Sequence, residues 1–192
     1  MPYLYAIDPG MSTGVVLGYY DEDTPYEMIG MWQFSGGLAG FMDFAYDHWS
    51  GFYGDWEVPN TYDGDSYEFI CERFVPLSGG GFSQTAKSVE PLRIEGALVA
   101  MGLLPADTSD PHWQRASCQV LAGGDTPAAR KRNSGNILKR GGLWVTGKMF
   151  FTPDADDVIS ALKHSLWFLR NTVGHTPTIE KYWKEEHDVG AH

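Results

Sequence analysis

The sequence predicts an α/β domain, and three observations carry that prediction. Within the first 34 residues, three β-prone runs, Tyr3–Ile7, Val15–Tyr20 and Tyr26–Phe34, are separated by turn-forming Pro9-Gly10 and by Asp21–Pro25, which gives three consecutive antiparallel strands. Beyond them, segments whose apolar residues recur at helical spacing are interrupted by a further apolar strand, Tyr67–Cys71. At 192 residues the chain fits one domain with a proper core; residues 1–172 are expected to form it, with 173–192 as a C-terminal tail or loosely docked extension.

Each later element has its own signal. Leu38, Phe41, Met42, Ala45, Tyr46 and Trp49 define a first helix after the Ser35-Gly36-Gly37 break, and residues 51–65 read as a loop. Val89, Leu92, Ile94, Ala97, Leu98 and Met101 define a second helix within 84–103, where Gly96 is expected to allow a close helix approach. Residues 112–121 hold a short strand or a short helix. Thr126-Pro127 is a cap followed by a first-position proline and opens a third helix, expected to break at Asn133-Ser134-Gly135 and resume through Arg140. Leu143–Val145 suggests another short strand. The last long helix runs from Asp154 to Arg170, with Thr152 as its cap and Pro153 at its first position.

The formal net charge of −11 argues against a surface that is basic throughout. The positive charge is concentrated instead. Seven of the 14 Lys and Arg residues lie between Arg115 and Lys148, with Asp125 the only acid among them, the pattern of a partner-facing patch on an acidic protein. Cys71 and Cys118 have no metal-ligand spacing and are read as buried free thiols. No apolar run reaches the roughly 18–20 residues of a membrane span, and the first residues lack the basic region of a signal peptide, so an intracellular, cytoplasmic protein with no membrane partner is expected.

Four acidic residues stand at three element ends. Asp8 closes the first strand, Glu72 closes the strand 67–71, and Asp154 with Asp157 shares one face of the last helix's first turn. Each has an ordinary explanation: a turn-forming aspartate before Pro-Gly, a surface pair of Glu72 with Arg73, and acids at the positive end of a helix dipole. Should the two strands be neighbours with the helix beside them, the four carboxylates converge and require cations; oxygen ligands of this kind suit Mg²⁺ or Mn²⁺. Two such ions per site can clamp a phosphodiester during in-line hydrolysis. Asp156 is expected to be solvated, and His164, two turns beyond Asp157, to be structural or exposed, with second-shell assistance to the site as the alternative.

Four segments carry a resemblance: Ala6-Ile-Asp-Pro-Gly10 with Ser12-Thr-Gly14; Ile70-Cys-Glu-Arg-Phe74; Val89 through Ala100; and Asp154-Ala-Asp-Asp-Val-Ile-Ser-Ala161. In order and spacing they resemble the RuvC family of Holliday-junction resolvases over residues 4–165. The resemblance implies a ribonuclease-H-like fold, a five-stranded mixed sheet with its first three strands antiparallel and helices on both faces. It also implies catalysis and metal binding by Asp8, Glu72, Asp154 and Asp157, and a homodimer that nicks branched DNA symmetrically in recombination and repair. Arg115, Arg130, Lys131, Arg132, Lys139 and Arg140 become candidates for holding DNA phosphates; Phe74 is a candidate contact near the junction's crossover or, equally, a core residue.

The chain departs from the family in a longer 36–65 connection, a more acidic composition and the segment after Arg170. Two other readings stay open: a nuclease of the same fold acting on flaps, forks, replicative intermediates or RNA–DNA hybrids, and a non-catalytic module that binds branched DNA.

Overall fold

The computed structural model describes residues 2–49, 66–75, 86–143 and 156–184. A five-stranded mixed sheet lies at its centre, in the order β3-β2-β1-β4-β5. β1 (Pro2–Asp8), β2 (Ser12–Tyr19) and β3 (Glu27–Ser35) form an antiparallel meander, while β4 (Ser66–Glu72) and the two-residue β5 (Trp113–Gln114) add in parallel beyond β1. The stretch 112–121 is both of the elements expected there, since a 3₁₀ turn over Ala116–Gln119 follows β5.

Both faces of the sheet are covered, and the two-residue period of a strand explains how. Tyr5 and Ile7 of β1, with Phe69 and Cys71 of β4, join a core that holds Phe41, Phe44 and Trp49 of α1 (Leu38–Trp49) and Ile94 and Leu98 of α2 (Ala86–Ala100). Leu4, Ala6 and Ile70 face the other way. There they meet Ile137 and Leu138 of α3 (Pro127–Arg140), Val158, Ala161, Leu162 and Leu166 of α4 (Asp156–Phe168), and Tyr182 of α5 (Thr176–Trp183). Cys71 and Cys118 are buried free thiols.

Three expectations are corrected. α3 does not break at Asn133-Ser134-Gly135. Asn133 Nδ2 donates to Gly123 O at 2.7 Å and Ser134 Oγ accepts from Leu121 N at 3.0 Å, so side chains that could compete with the helix backbone are engaged by the preceding loop. Gly96 is exposed, with nothing within 4 Å of where its Cβ would stand. The stretch after residue 172 is more than a loose extension: Tyr182 is fully buried and donates to Tyr26 O at 2.9 Å, and Thr178 Oγ1 accepts from Tyr26 N at 2.8 Å. α5 thereby closes the core over Tyr26, the residue before β3. Residues 51–65, the strand expected at 143–145 and the start of the last helix at 152–155 fall wholly or largely outside the described residues, as do 185–192.

No helix among the described residues is long and apolar enough to cross a membrane.

Candidate active site

Asp8 and Glu72 are the last residues of β1 and β4, which pair in parallel through Ala6–Ile70 and Ile7–Cys71. One position further on, the two carboxylates stand side by side. Both take the parity of Leu4, Ala6 and Ile70, and so face α4 rather than α1 and α2. Behind Asp8 the chain turns tightly, held by the buried Thr13, whose Oγ1 accepts from Gly10 N at 3.2 Å and donates to Gly10 O at 3.1 Å. On β2, Gly14 is the cross-strand partner of Asp8. A Cβ there would fall 2.4 Å from the carbonyl oxygen of Asp157, so the bare backbone of Gly14 admits the first turn of α4, and Asp157 with it, beside Asp8.

The electrostatics record this convergence. Burial, then the charges of Glu72 and Asp157, push the Asp8 carboxyl up to about 8, against the opposing pull of a Ser160 hydrogen bond and the Lys163 charge. Glu72 goes the other way. Burial alone would raise it, but His164, by hydrogen bond and charge, and then Gln119 outweigh burial and hold it below the usual glutamate range. The two neighbours are thus driven apart, one protonated near neutrality and one ionised, which makes the pair a candidate functional site.

Glu72 is gripped on one oxygen. Gln119 Nε2 donates to Oε2 at 2.6 Å, and His164 Nε2 lies 2.7 Å from the same atom. The Gln119 amide is oriented at its other end by Ser160, whose hydroxyl donates to Oε1 at 3.2 Å; that hydroxyl also neighbours the Asp8 carboxyl. His164 is completely buried and its Nδ1 has no hydrogen-bond partner. A proton on Nε2 lets the ring donate to Glu72 Oε2.

The structure therefore brings Asp8, Glu72 and Asp157 together; Asp154 lies outside the described residues. Asp156 is exposed, as expected, whereas His164 is neither exposed nor remote. Glu72 pairs with Gln119 and His164 instead of Arg73, whose guanidinium is directed to Thr108 O. Asp157, Ser160 and His164 follow an i, i+3, i+7 spacing that places them along one side of α4, which is the available signal for Ser160, unassigned from the sequence, and for His164, whose assistance to the site the sequence offers only as an alternative. Gln119, on a 3₁₀ turn, offered none.

Of the candidate DNA contacts, Arg130 and Lys131 line a cavity of about 730 Å³ beside this site, together with Lys163 of α4. Arg132, Lys139 and Arg140 are exposed elsewhere on α3, and Arg115 is exposed just before the 3₁₀ turn. Phe74 is half-buried, its N–H donating to the buried Glu95.

Among the described residues no group of three or more His, Cys, Asp and Glu side chains is arranged as a ready metal cage. The donor chemistry of Asp8, Glu72 and Asp157 nevertheless fits a hard divalent cation: all are carboxylates, and burial, then the charges of Glu72 and Asp157, keep Asp8 protonated in the absence of a counter-charge. No protein-family model matches this chain, and neither does any curated protein.

Proposed function

We propose that the chain is a metal-dependent endonuclease of ribonuclease-H-like fold that hydrolyses phosphodiesters of branched DNA, with four-way junctions as the leading substrate. The observation that carries the proposal is the convergence of Asp8, Glu72 and Asp157 at paired strand ends under a helix start, with Asp8 pushed up to about 8. The sheet order β3-β2-β1-β4-β5, in which β2 runs opposite to the other four strands, supports the fold assignment, as does the order of the four sequence blocks. The basic segment supplies sequence-independent affinity for phosphates.

In this reading Asp8, Glu72 and Asp157, with Asp154, hold Mg²⁺ or Mn²⁺. Bound as a pair, such ions supply a hydroxide nucleophile and stabilise the leaving oxygen. The protein's own part is positioning. His164 and Gln119 fix Glu72 by one oxygen, Ser160 links Gln119 to the neighbourhood of Asp8, and Gly14 lets α4 deliver Asp157. A homodimer that cuts two strands symmetrically belongs to the same proposal.

The competing reading is a non-catalytic module that grips branched DNA through the basic segment between Arg115 and Lys148. Incubation with a labelled four-way junction and Mg²⁺, repeated with Asp8→Asn, separates the two. Cleavage that disappears in the variant while junction binding persists supports the enzyme; binding without cleavage in Mg²⁺ or Mn²⁺ supports the module. Linear duplex, flap and RNA–DNA hybrid run alongside decide the substrate.

A further inference from the structure

The cavity of about 730 Å³ between the 3₁₀ turn, α3 and α4 is within the size range of small-ligand pockets, roughly 300–1,000 Å³. It shares a wall with the acidic site. Gln119 lines it while donating to Glu72, and Ser160 lines it while neighbouring Asp8. Its charge is opposite to that site and to the chain as a whole: Arg130, Lys131 and Lys163 line it against one acid, Asp156. Holding cations together in this way costs free energy that an anion recovers. The strain registers at Lys163, whose ammonium is held below the ordinary lysine range by burial first and by the charge of Lys131 second. The remaining wall is largely apolar, formed by Val120, Pro127 and Ile159.

We propose that this cavity takes one nucleotide of the substrate strand next to the cleaved phosphodiester, its phosphate between Lys131 and Lys163 and its base against Val120 and Ile159. The proposal rests on the nuclease reading and adds a nucleotide subsite to it. A phosphate alone would leave the apolar wall unused, and an apolar ligand would leave three cations without partners; a nucleotide satisfies both. Arg130 stands at the exposed rim, and Lys163, half-buried on α4, lies closest to the acids, its charge felt by Asp8. Lys163 therefore joins the two sites.

The test uses a fluorescein-labelled four-way junction, with binding followed by anisotropy across a salt series without divalent ions. Lys163→Gln is expected to lower affinity several-fold and to reduce the slope of log K against log salt by about 1, as for loss of one phosphate contact. Ser117→Phe, an exposed position on the cavity wall, fills the space without changing charge; it is expected to lower affinity about tenfold with the slope intact, by analogy with loss of base stacking at about 1–3 kcal/mol. Lys181→Gln on α5 should change neither. Thermal unfolding confirms that each variant is folded. Junctions carrying 4-thiothymidine around the branch point should crosslink to Val120 or Ile159 in the wild type and not in Ser117→Phe.

Wild-type slope and affinity in both Lys163→Gln and Ser117→Phe overturn the subsite, and the nuclease reading stands if the wild type still cuts in Mg²⁺. The expected binding changes in a protein that cuts nothing leave a nucleotide-binding cavity but overturn the nuclease reading and, with it, the placement beside a cleaved bond. A wild type that binds no junction at low salt overturns both.

Discussion

A Cβ built on Gly14 would lie 2.2 Å from the carbonyl carbon of Asp157 and 2.5 Å from the amide nitrogen of Val158. Gly14 is also the cross-strand partner of Asp8, so a residue without a side chain sets the distance between the strand pair carrying Asp8 and the helix carrying Asp157. The obstructing atoms are helix backbone, which cannot swing aside as a side chain would. Gly14→Ala is therefore expected to lift the start of α4 from the sheet, at a cost of about 1–3 kcal/mol typical of overpacking, read from urea unfolding. Junction cleavage should fall further than the folded fraction does, because Asp157 leaves Asp8. A variant with wild-type stability and cleavage would show that this contact does not place the helix.

The strand ends were legible because apolar β-prone runs stop at Asp8 and at Glu72, and the meander because turn residues separate its strands. The side to which the two acids point was not. Both faces of β1 and β4 are buried, so Phe69 and Cys71 on one face and Ile70 on the other are all apolar, and alternation carries no information. Only the register Ile7–Cys71 sets Asp8 beside Glu72. His164 was obscured for a related reason: its partner lies 92 positions away, and a histidine within an apolar helix face reads like any core residue. α5 was missed because its docking rests on scattered contacts: Tyr182 fits where Gly141 leaves room, Trp183 Nε1 donates to Leu121 O and Thr178 Oγ1 accepts from Tyr26 N, and two adjacent aromatics in a polar stretch have no period.

Tyr182, the largest of these contacts, makes α5 a sharp test. Tyr182 is fully buried, and its hydroxyl caps Tyr26 O. Tyr182→Ala is expected to cost about 3–5 kcal/mol, the range for truncating a buried aromatic. Tyr182→Phe should cost about 1–3 kcal/mol, since it leaves a buried carbonyl without its donor. Denaturant midpoints measure both. Near-neutral values for both would return the segment to a loosely attached role.

At the opposite end of β4, His112 Nε2 lies 3.0 Å from Glu68 Oε1, its Nδ1 lies 2.5 Å from Asp110 Oδ1, and Tyr20 OH donates to Glu68 Oε2 at 2.9 Å. The hydrogen bond to Glu68, and then Asp110, raise the His112 imidazolium above its ordinary 6.5 although burial opposes this. A folded-state value above the unfolded one contributes stability that is complete below 6.5 and is lost as pH rises through the raised value. His112→Gln should therefore destabilise the protein at pH 5.5 more than at pH 8.5, as followed by urea midpoints. An equal loss at both pH values would assign His112 a packing role alone.

His164 tests whether the grip on Glu72 matters beyond folding. Gln can present an amide Nε2 where the imidazole presents its own, whereas Leu fills the space without a donor. Loss of a residue that orients a metal ligand typically costs about 10–100-fold in metal affinity or activity. His164→Leu is thus expected to weaken Mn²⁺ binding, measured by electron paramagnetic resonance, and junction cleavage by that order, while His164→Gln recovers most of both. Should the two variants behave alike, the bond to Glu72 is structural only.

Asp8 supplies the last prediction, through the pH dependence of the metal-free protein. Its carboxyl stands at about 8 against an ordinary 3.8, so the folded protein retains a proton there that the unfolded chain has released. Stability from this group is complete below 3.8 and is lost as pH rises through about 8. Between pH 6 and pH 8.5 the metal-free wild type should thus lose stability from this group, and Asp8→Asn, which carries no charge, should not. At about 2–4 °C in melting temperature for each kcal/mol in a chain of this size, the crossing is measurable by calorimetry. Mg²⁺ reverses the trend in the wild type, because a cation competes with the proton for the same carboxylates; the rise in melting temperature it causes should grow with pH and be small in Asp8→Asn. A wild type whose melting temperature does not depend on Mg²⁺ at pH 8.5 would mean that these acids hold no ion, and the endonuclease proposal would fall with them.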